Sequence, residues 1–389
     1  MSGNLRVVGL AERPRILFVL KEYSQIHQTC IKNEIEALED HYEIRIVTSG
    51  APASLCRDLH PHDYVKDLEG LATAVQEFRP HVLHTHCFSE LQFVRQIAEI
   101  TRTPYTARIH SLDTTSLRGR GLQGRMGKLF KGSPVSQRPA WAIEAIQAMD
   151  SDLCLGVLIL PCARPWLVRA GAQPDKLIDC FPVVRVRQFM DRGPNGDEVM
   201  NPGCATTRRA TSEFRRLANM VPGRKFRWYA QGDGCEHLQE RHGGQGSGVE
   251  FVGPVRTRDM PSEYKKHRWL VFTENVETPA SGWPIAVAEA QASGVGVCIP
   301  SLRTDLAQYV GSGAGVLYDS VEELPAIVAG KVPKAMRERG FEQAKKYDIE
   351  RHKHLLTDLW ESAIIRETHD TSEVSIFRFE TTPTVAPVR

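Results

Sequence analysis

Apolar residues fall in short unbroken blocks, separated by stretches in which they recur every third or fourth position. Residues 15–20, 43–48, 81–86, 105–110, 153–157 and 177–182 read as buried strands. Between the first two, Ile31, Ile35 and Leu38 mark one helix face, with Glu34 and Glu36 off that face. Leu68 to Phe78 is helix-like, and Pro80 closes it. A short amphipathic pattern runs from Trp166 to Ala170. The polar stretch 191–197 is the best linker, after which the rhythm restarts. Residues 198–200 enter a turn at Asn201-Pro-Gly203, and Phe214, Leu217, Ala218 and Val221 form a helical stripe. Strands are expected at 225–230, 249–253, 269–272, 294–299 and 313–318. Two βα series joined by a polar linker predict an α/β chain of two doubly wound, Rossmann-like domains facing a central cleft.

Composition agrees with this division. The chain has 389 residues, room for about two domains, and its 41% hydrophobic and 25% charged content is that of a soluble globular protein. A formal charge of +2 gives no bulk attraction to nucleic acid. No apolar run approaches the roughly 20 residues of a membrane span, and no signal peptide is expected at the N-terminus. The nine scattered cysteines lack a C-x-x-C pair, which fits reduced thiols in a cytosol.

The richest segment is 281–294, Ser-Gly-Trp-Pro-Ile-Ala-Val-Ala-Glu-Ala-Gln-Ala-Ser-Gly. It reads as a tight turn, a helix starting near Pro284 and a stop at Gly294, with strands on either side. Such a unit sets a helix N-terminus at the carboxyl edge of a parallel sheet, where free amides and the dipole favour phosphate. Glu289, inside the helix, can then reach a sugar hydroxyl. Elsewhere, Gly119-Arg-Gly-Leu-Gln-Gly124 matches a dinucleotide fingerprint literally, but no strand runs into it. His84 and His86 alternate on a strand and share a face; no third metal ligand is evident, so structural or cleft-lining roles are expected.

The second half resembles the retaining GT-B glycosyltransferases of family 4. Their Glu-Gly-Phe-Gly/Pro turn, apolar helix with a second Glu, and Ala-x-Gly are similar to Ser281-Gly-Trp-Pro284 and Glu289-Ala-Gln-Ala-Ser-Gly294. Gln231-Gly-Asp-Gly234 resembles the G-x-G loop, and Phe251-Val-Gly253 the F-x-G strand end. Residues 23–34, with Glu34, resemble the start of some polysaccharide-type members, and Pro80-His-Val-Leu-His-Thr-His86 a Pro-Asp-Val-Val-His-x-His strand. The likeness spans about residues 14–362.

This resemblance implies an acceptor-binding domain over 14–190, preceded by an extension at 1–13, and a donor-binding domain over 198–342. A helix at 343–365 would cross back to the first domain, leaving 366–389 as a loose tail. Glu289 would bind ribose, and the turn amides of Gly282, Trp283 and Ile285 the donor sugar or diphosphate, with Gly232 and Gly253 nearby. Arg208 and Arg209 occupy the family's Lys region and would neutralise the leaving diphosphate, while its usual Arg position reads Pro202-Gly203-Cys204. The first motif Glu is Ser281 here, and Glu277 is its candidate substitute. His110 resembles the family's cleft histidine. Asp113, Arg118 and Arg120 are acceptor-side candidates in a basic, glycine-rich run that either is a solvated loop or meets an anionic lipid carrier at a membrane surface. Asp150-Ser-Asp152 mimics the metal-binding Asp-x-Asp of GT-A enzymes, but its place before a strand reads as capping.

The implied activity is metal- and cofactor-independent retaining transfer from a UDP- or GDP-type sugar to a saccharide or lipid-linked hydroxyl, in the cytoplasm or at the inner membrane face. Two alternatives stay open: a GT-B-fold nucleotide-sugar epimerase or hydrolase, and a catalytically weakened partner protein.

Overall fold

The computed structural model describes residues 12–23, 29–50, 60–109, 140–204, 208–231, 248–253, 255–273, 283–301 and 304–377. Among the described residues, two parallel sheets account for all thirteen strands. The first has the order β3-β2-β1-β4-β5-β6-β7, built from Arg15–Leu20 (β1), Glu43–Thr48 (β2), Asp63–Tyr64 (β3), Val82–His86 (β4), Tyr105–Ile109 (β5), Cys154–Ile159 (β6) and Leu177–Asp179 (β7). The second has the order β10-β9-β8-β11-β12-β13, built from Glu198–Cys204 (β8), Phe226–Gln231 (β9), Val249–Val252 (β10), His267–Val271 (β11), Gly296–Pro300 (β12) and Val316–Tyr318 (β13). In each, the chain winds outward from a central strand, then jumps to its other side, which creates a switch point at β1/β4 and at β8/β11.

Residues 16–20 of the central strand β1 are all apolar and buried, because helices cover both faces. On β1, Leu17 and Val19 pack with Leu71, Val75, Leu91 and Val94, while Ile16, Phe18 and Leu20 pack on the other face with Ile31, Ile35, Leu356 and Trp360. The last two residues belong to the helix His354–Phe377, so the end of the chain completes the core of the first lobe. The second lobe has one core around Phe214, Trp228 and Trp269 and another around Tyr264, Val287 and Ile299.

The chain passes between the sheets twice. After β7 it runs through Val186–Phe189 to β8, and the segment after the helix Lys334–Ala344 returns it to the first lobe. These passages pair with each other: Val184 N donates to Tyr347 O at 3.3 Å, and Ile349 N to Val184 O at 2.9 Å. Asn33 Nδ2 donates to Val183 O at 3.2 Å, and Arg185 ion-pairs with Glu36, which ties the crossing to the helix Thr29–Leu38.

Four local expectations change. Asn201-Pro-Gly203 is not a turn; β8 continues to Cys204. Beyond Met200 it pairs with β9 alone, and a strand with one free edge tolerates Pro202. Glu34 does not lie off the buried face, since it has 0% exposure. Residues 366–377 are helical rather than part of a tail. The expected helix at 343–365 is instead broken by short turns at 345–353. Among the described residues, no helix is long and apolar enough to cross a membrane.

Candidate functional site at the second switch point

The carboxyl ends of β8 and β11 adjoin, and Asn201 Nδ2 donates to Thr273 Oγ1 across them at 2.5 Å, with both residues buried. A helix begins beyond each strand: Arg208–Met220 after β8, and Ile285–Ala292 after β11. Arg208 and Arg209 are therefore the opening residues of a helix at this edge. Pro284 is the N-cap of the second helix (φ −70°, ψ 115°) rather than its first helical residue, and the N–H groups of Ile285 and Ala286 open it. Gly294 ends it with φ +75°, a left-handed conformation that favours glycine.

Glu289 sits in the middle of this short helix and is only 6% exposed. Its Oε2 accepts a hydrogen bond from Tyr264 Oη at 2.7 Å. Burial pushes its carboxyl up to about 7, against which the Tyr264 bond acts. The same burial, and then the nearby Glu289 charge, holds the Tyr264 phenol well above its ordinary range. At neutral pH this site thus holds a carboxyl poised between its two forms, next to a phenol that stays protonated.

Trp283 is 5% exposed. Its indole Nε1 donates to Asp305 Oδ2 at 3.1 Å, and its ring stacks on Phe181 at 5.9 Å. Its side chain is therefore committed to packing, and only its backbone is available to a donor. Ile285 is half-buried beside it. Gly253 lies just past β10, two strands from β8, where an added Cβ meets nothing within 4 Å. Eight of the sequence candidates, His110, Asp113, Arg118, Arg120, Gly232, Glu277, Ser281 and Gly282, lie outside the described residues, as does the glycine run at 119–124. Asp150 Oδ1 accepts the backbone amide of Gln173, 23 residues further along the chain, at 3.0 Å.

The first lobe holds a cluster that the sequence only half disclosed. Glu34 is the missing third member beside His84 and His86: their Nε2 atoms lie 2.9 and 3.3 Å from Glu34 Oε1. Arg108 Nε lies 2.5 Å from Oε2. All three are close polar contacts to one buried carboxylate. Burial would raise Glu34, but the Arg108 charge holds its carboxyl well below the usual range. Burial also lowers His84 to about 4, so the imidazole is neutral. Its Nε2 faces an acceptor-only carboxylate, which assigns the proton to Nε2. Thr106 Oγ1 then donates to Nδ1 at 2.8 Å while accepting the Trp360 indole N–H at 2.9 Å. Arg108 Nη1 donates to Cys180 Sγ at 3.1 Å, and Cys180 Sγ lies 3.5 Å from His352 Nδ1. Carboxylate and guanidinium already cancel here. A divalent cation would leave two uncompensated positive charges in a dry interior, a costly arrangement.

His84, His267 and His352 are each held near 4 by burial. An unfolded histidine titrates near 6.5, so the unfolded chain binds more protons as pH falls below that value. Stability should be full above pH 6.5 and fall between pH 6.5 and 4, by about 2 kcal/mol per histidine at pH 5. Glu289, raised to about 7, works in the opposite direction and offsets about one histidine. Urea midpoints at pH 7 and pH 5 check this; a higher midpoint at pH 5 would refute it.

No family profile and no curated protein sequence matches the chain. Solved structures do. Anabaena Alr3699/HepE in complex with UDP is 12% identical with a TM-score of 0.67, covering 90% of this chain and 100% of its own. Sucrose-phosphate synthase from Thermosynechococcus elongatus is 12% identical with a TM-score of 0.64, covering 91% and 100%. UDP-GlcNAc 2-epimerase from Methanocaldococcus jannaschii is also 12% identical, with a TM-score of 0.52, covering 88% and 99%. The chain has the GT-B fold. The two doubly wound sheets and the double crossing are the parts of that fold which place the β8/β11 edge in the second lobe.

Proposed function

We propose that the chain transfers a sugar from a nucleotide diphosphate donor to a hydroxyl acceptor, with the second lobe holding the donor and the first lobe the acceptor. The observation that carries this reading is the convergence of two helix starts at one switch point, one opening on Arg208-Arg209 and the other carrying Glu289. Positive charge and helix amides suit a pyrophosphate, and a carboxylate suits ribose hydroxyls. The Anabaena structure, which shares the overall architecture and is in complex with UDP, supports a nucleotide as a ligand of this chain.

Arg208 and Arg209 would stabilise the departing diphosphate, and no strong base is required if that diphosphate itself takes the acceptor's proton on the same face. That mechanism retains the anomeric configuration and needs no metal. His110 would face the donor sugar, with Gly232, Glu277, Ser281 and Gly282 around it, and Asp113, Arg118 and Arg120 would meet a saccharide or lipid-linked acceptor, in the cytoplasm or against a membrane face. The epimerase-like structure supports a second reading, in which the same donor site converts the sugar without an acceptor.

Thermal shift with UDP-, GDP- and dTDP-sugars tests the first step, since a ligand bound only by the native state raises its melting temperature. One donor should stabilise the protein, and Arg209→Ala should weaken its diphosphate form. Product analysis with and without acceptor alcohols separates transfer from epimerisation. No shift with any nucleotide would overturn the proposal.

A further inference from the structure

We propose that Trp283 is a positioning residue that ties the turn before the Ile285–Ala292 helix to the interlobe hinge through its stack on Phe181. This rests on the donor-site reading above and deepens it.

Four aromatic rings from separate parts of the chain meet here. Phe181 follows β7 on the first crossing, and Tyr347 lies on the return crossing. The Phe181 and Tyr347 rings meet edge to face at 5.5 Å. Tyr347 stacks on Tyr309 at 4.6 Å, and Tyr309 meets Trp283 at 6.1 Å. Trp283 closes the circuit by stacking on Phe181. Polar bonds fix two of the corners: Trp283 to Asp305, and Gln343 Nε2 donating to Tyr347 Oη at 3.0 Å and to Gln308 O at 2.7 Å. Tyr347 O also accepts from Val184 N, one of the two bonds that pair the crossings.

The consequence is mechanical. Rotation of one lobe against the other must act through the paired crossings, because the backbone passes there. Phe181 and Tyr347 move with those crossings. Trp283 packs on Phe181 and is one residue from the N-cap of the helix that carries Glu289. Packed aromatic rings shift between discrete arrangements rather than yielding smoothly. Lobe angle is therefore passed to the backbone amides of Trp283 and Ile285, the groups offered to the donor. Neither a solvent-facing Trp283 nor a ring buried wholly within its own lobe would do this.

The test is hydrogen exchange and donor kinetics on the full chain carrying Phe181→Leu, with Phe181→Tyr as the conservative variant. Loss of the stack should speed exchange in the peptide 283–287 roughly three- to tenfold, while β12 stays as in the wild type. The donor KM should rise several-fold with kcat changed less, and Phe181→Tyr should restore both. Exchange in 283–287 within twofold of wild type, or equal loosening of β12, would overturn the proposal. If the exchange coupling appears but the wild type consumes no nucleotide sugar, the turn–hinge link stands and the donor-site reading fails instead.

Discussion

Arg108→Leu should remove about 3–5 kcal/mol of stability, the largest loss expected from any single change in the first lobe. The guanidinium lies in a central strand, 3% exposed, with its Nε 2.5 Å from a carboxylate that has no exposure at all. Removing it strands the Glu34 charge among Phe18, Trp360 and two imidazoles. Burial, then opposed by the two imidazoles without the Arg108 charge, would drive the Glu34 carboxyl upward, so the variant should regain ground as pH is lowered toward 5. The wild type should do the reverse, because its Glu34 is held low and its buried histidines resist protonation. The double variant Glu34→Leu with Arg108→Leu removes both charges and should recover much of the loss. Urea melts of the three proteins at pH 7 decide it. A loss under about 1 kcal/mol for Arg108→Leu would show that the pair lies in reach of water.

That cluster also marks where the sequence stopped being legible. The strands β1 and β2 and the helix Leu68–Phe78 fall where the apolar pattern places them, because each is specified locally: unbroken apolar runs for the strands, and for the helix a stop at Arg79, with φ 49°, just before Pro80. Glu34 is different. On the helix Thr29–Leu38 it looks like an ordinary solvated carboxylate, and what buries it is a charge on β5, far along the chain. The available signal was Arg108 itself, an arginine within the otherwise buried strand Tyr105–Ile109. A charged residue at the centre of a parallel sheet demands a partner.

The β8/β11 edge was legible for the opposite reason. Its helix and Gly294 stop are contiguous, and so is the place of Glu289 within them. What contiguity did not reveal was the partner: Tyr264 comes from the helix Met260–Lys265 before β11, and Phe181 from the first crossing. Both depend on the packing of elements that only the assembled lobes bring together. The same applies to Trp360, which falls within the expected helix at 343–365, but whose indole closes a polar chain on β5 that nothing local to it reveals.

Under the proposed function, Glu289→Gln should lower donor affinity roughly 10- to 150-fold, the range for hydrogen bonds to a charged acceptor. The sign of its pH dependence follows from burial. In the free protein the carboxyl titrates near 7, so below that pH it carries a proton and presents one acceptor fewer to ribose hydroxyls. Donor affinity should rise from pH 6 to 8 with an inflection near 7, and binding near neutrality should release a proton. Calorimetry in two buffers of different ionisation enthalpy measures that release. Glu289→Gln should abolish both the inflection and the release, since the amide does not titrate. Tyr264→Phe should keep them but move the inflection to higher pH, because the phenol that bonds the ionised carboxylate at 2.7 Å is gone. A flat profile from pH 6 to 8, or a Gln variant within threefold of wild type, would place the ribose elsewhere. Glu289 would then be a buried carboxyl whose only task is to hold Tyr264 against the core of the second lobe.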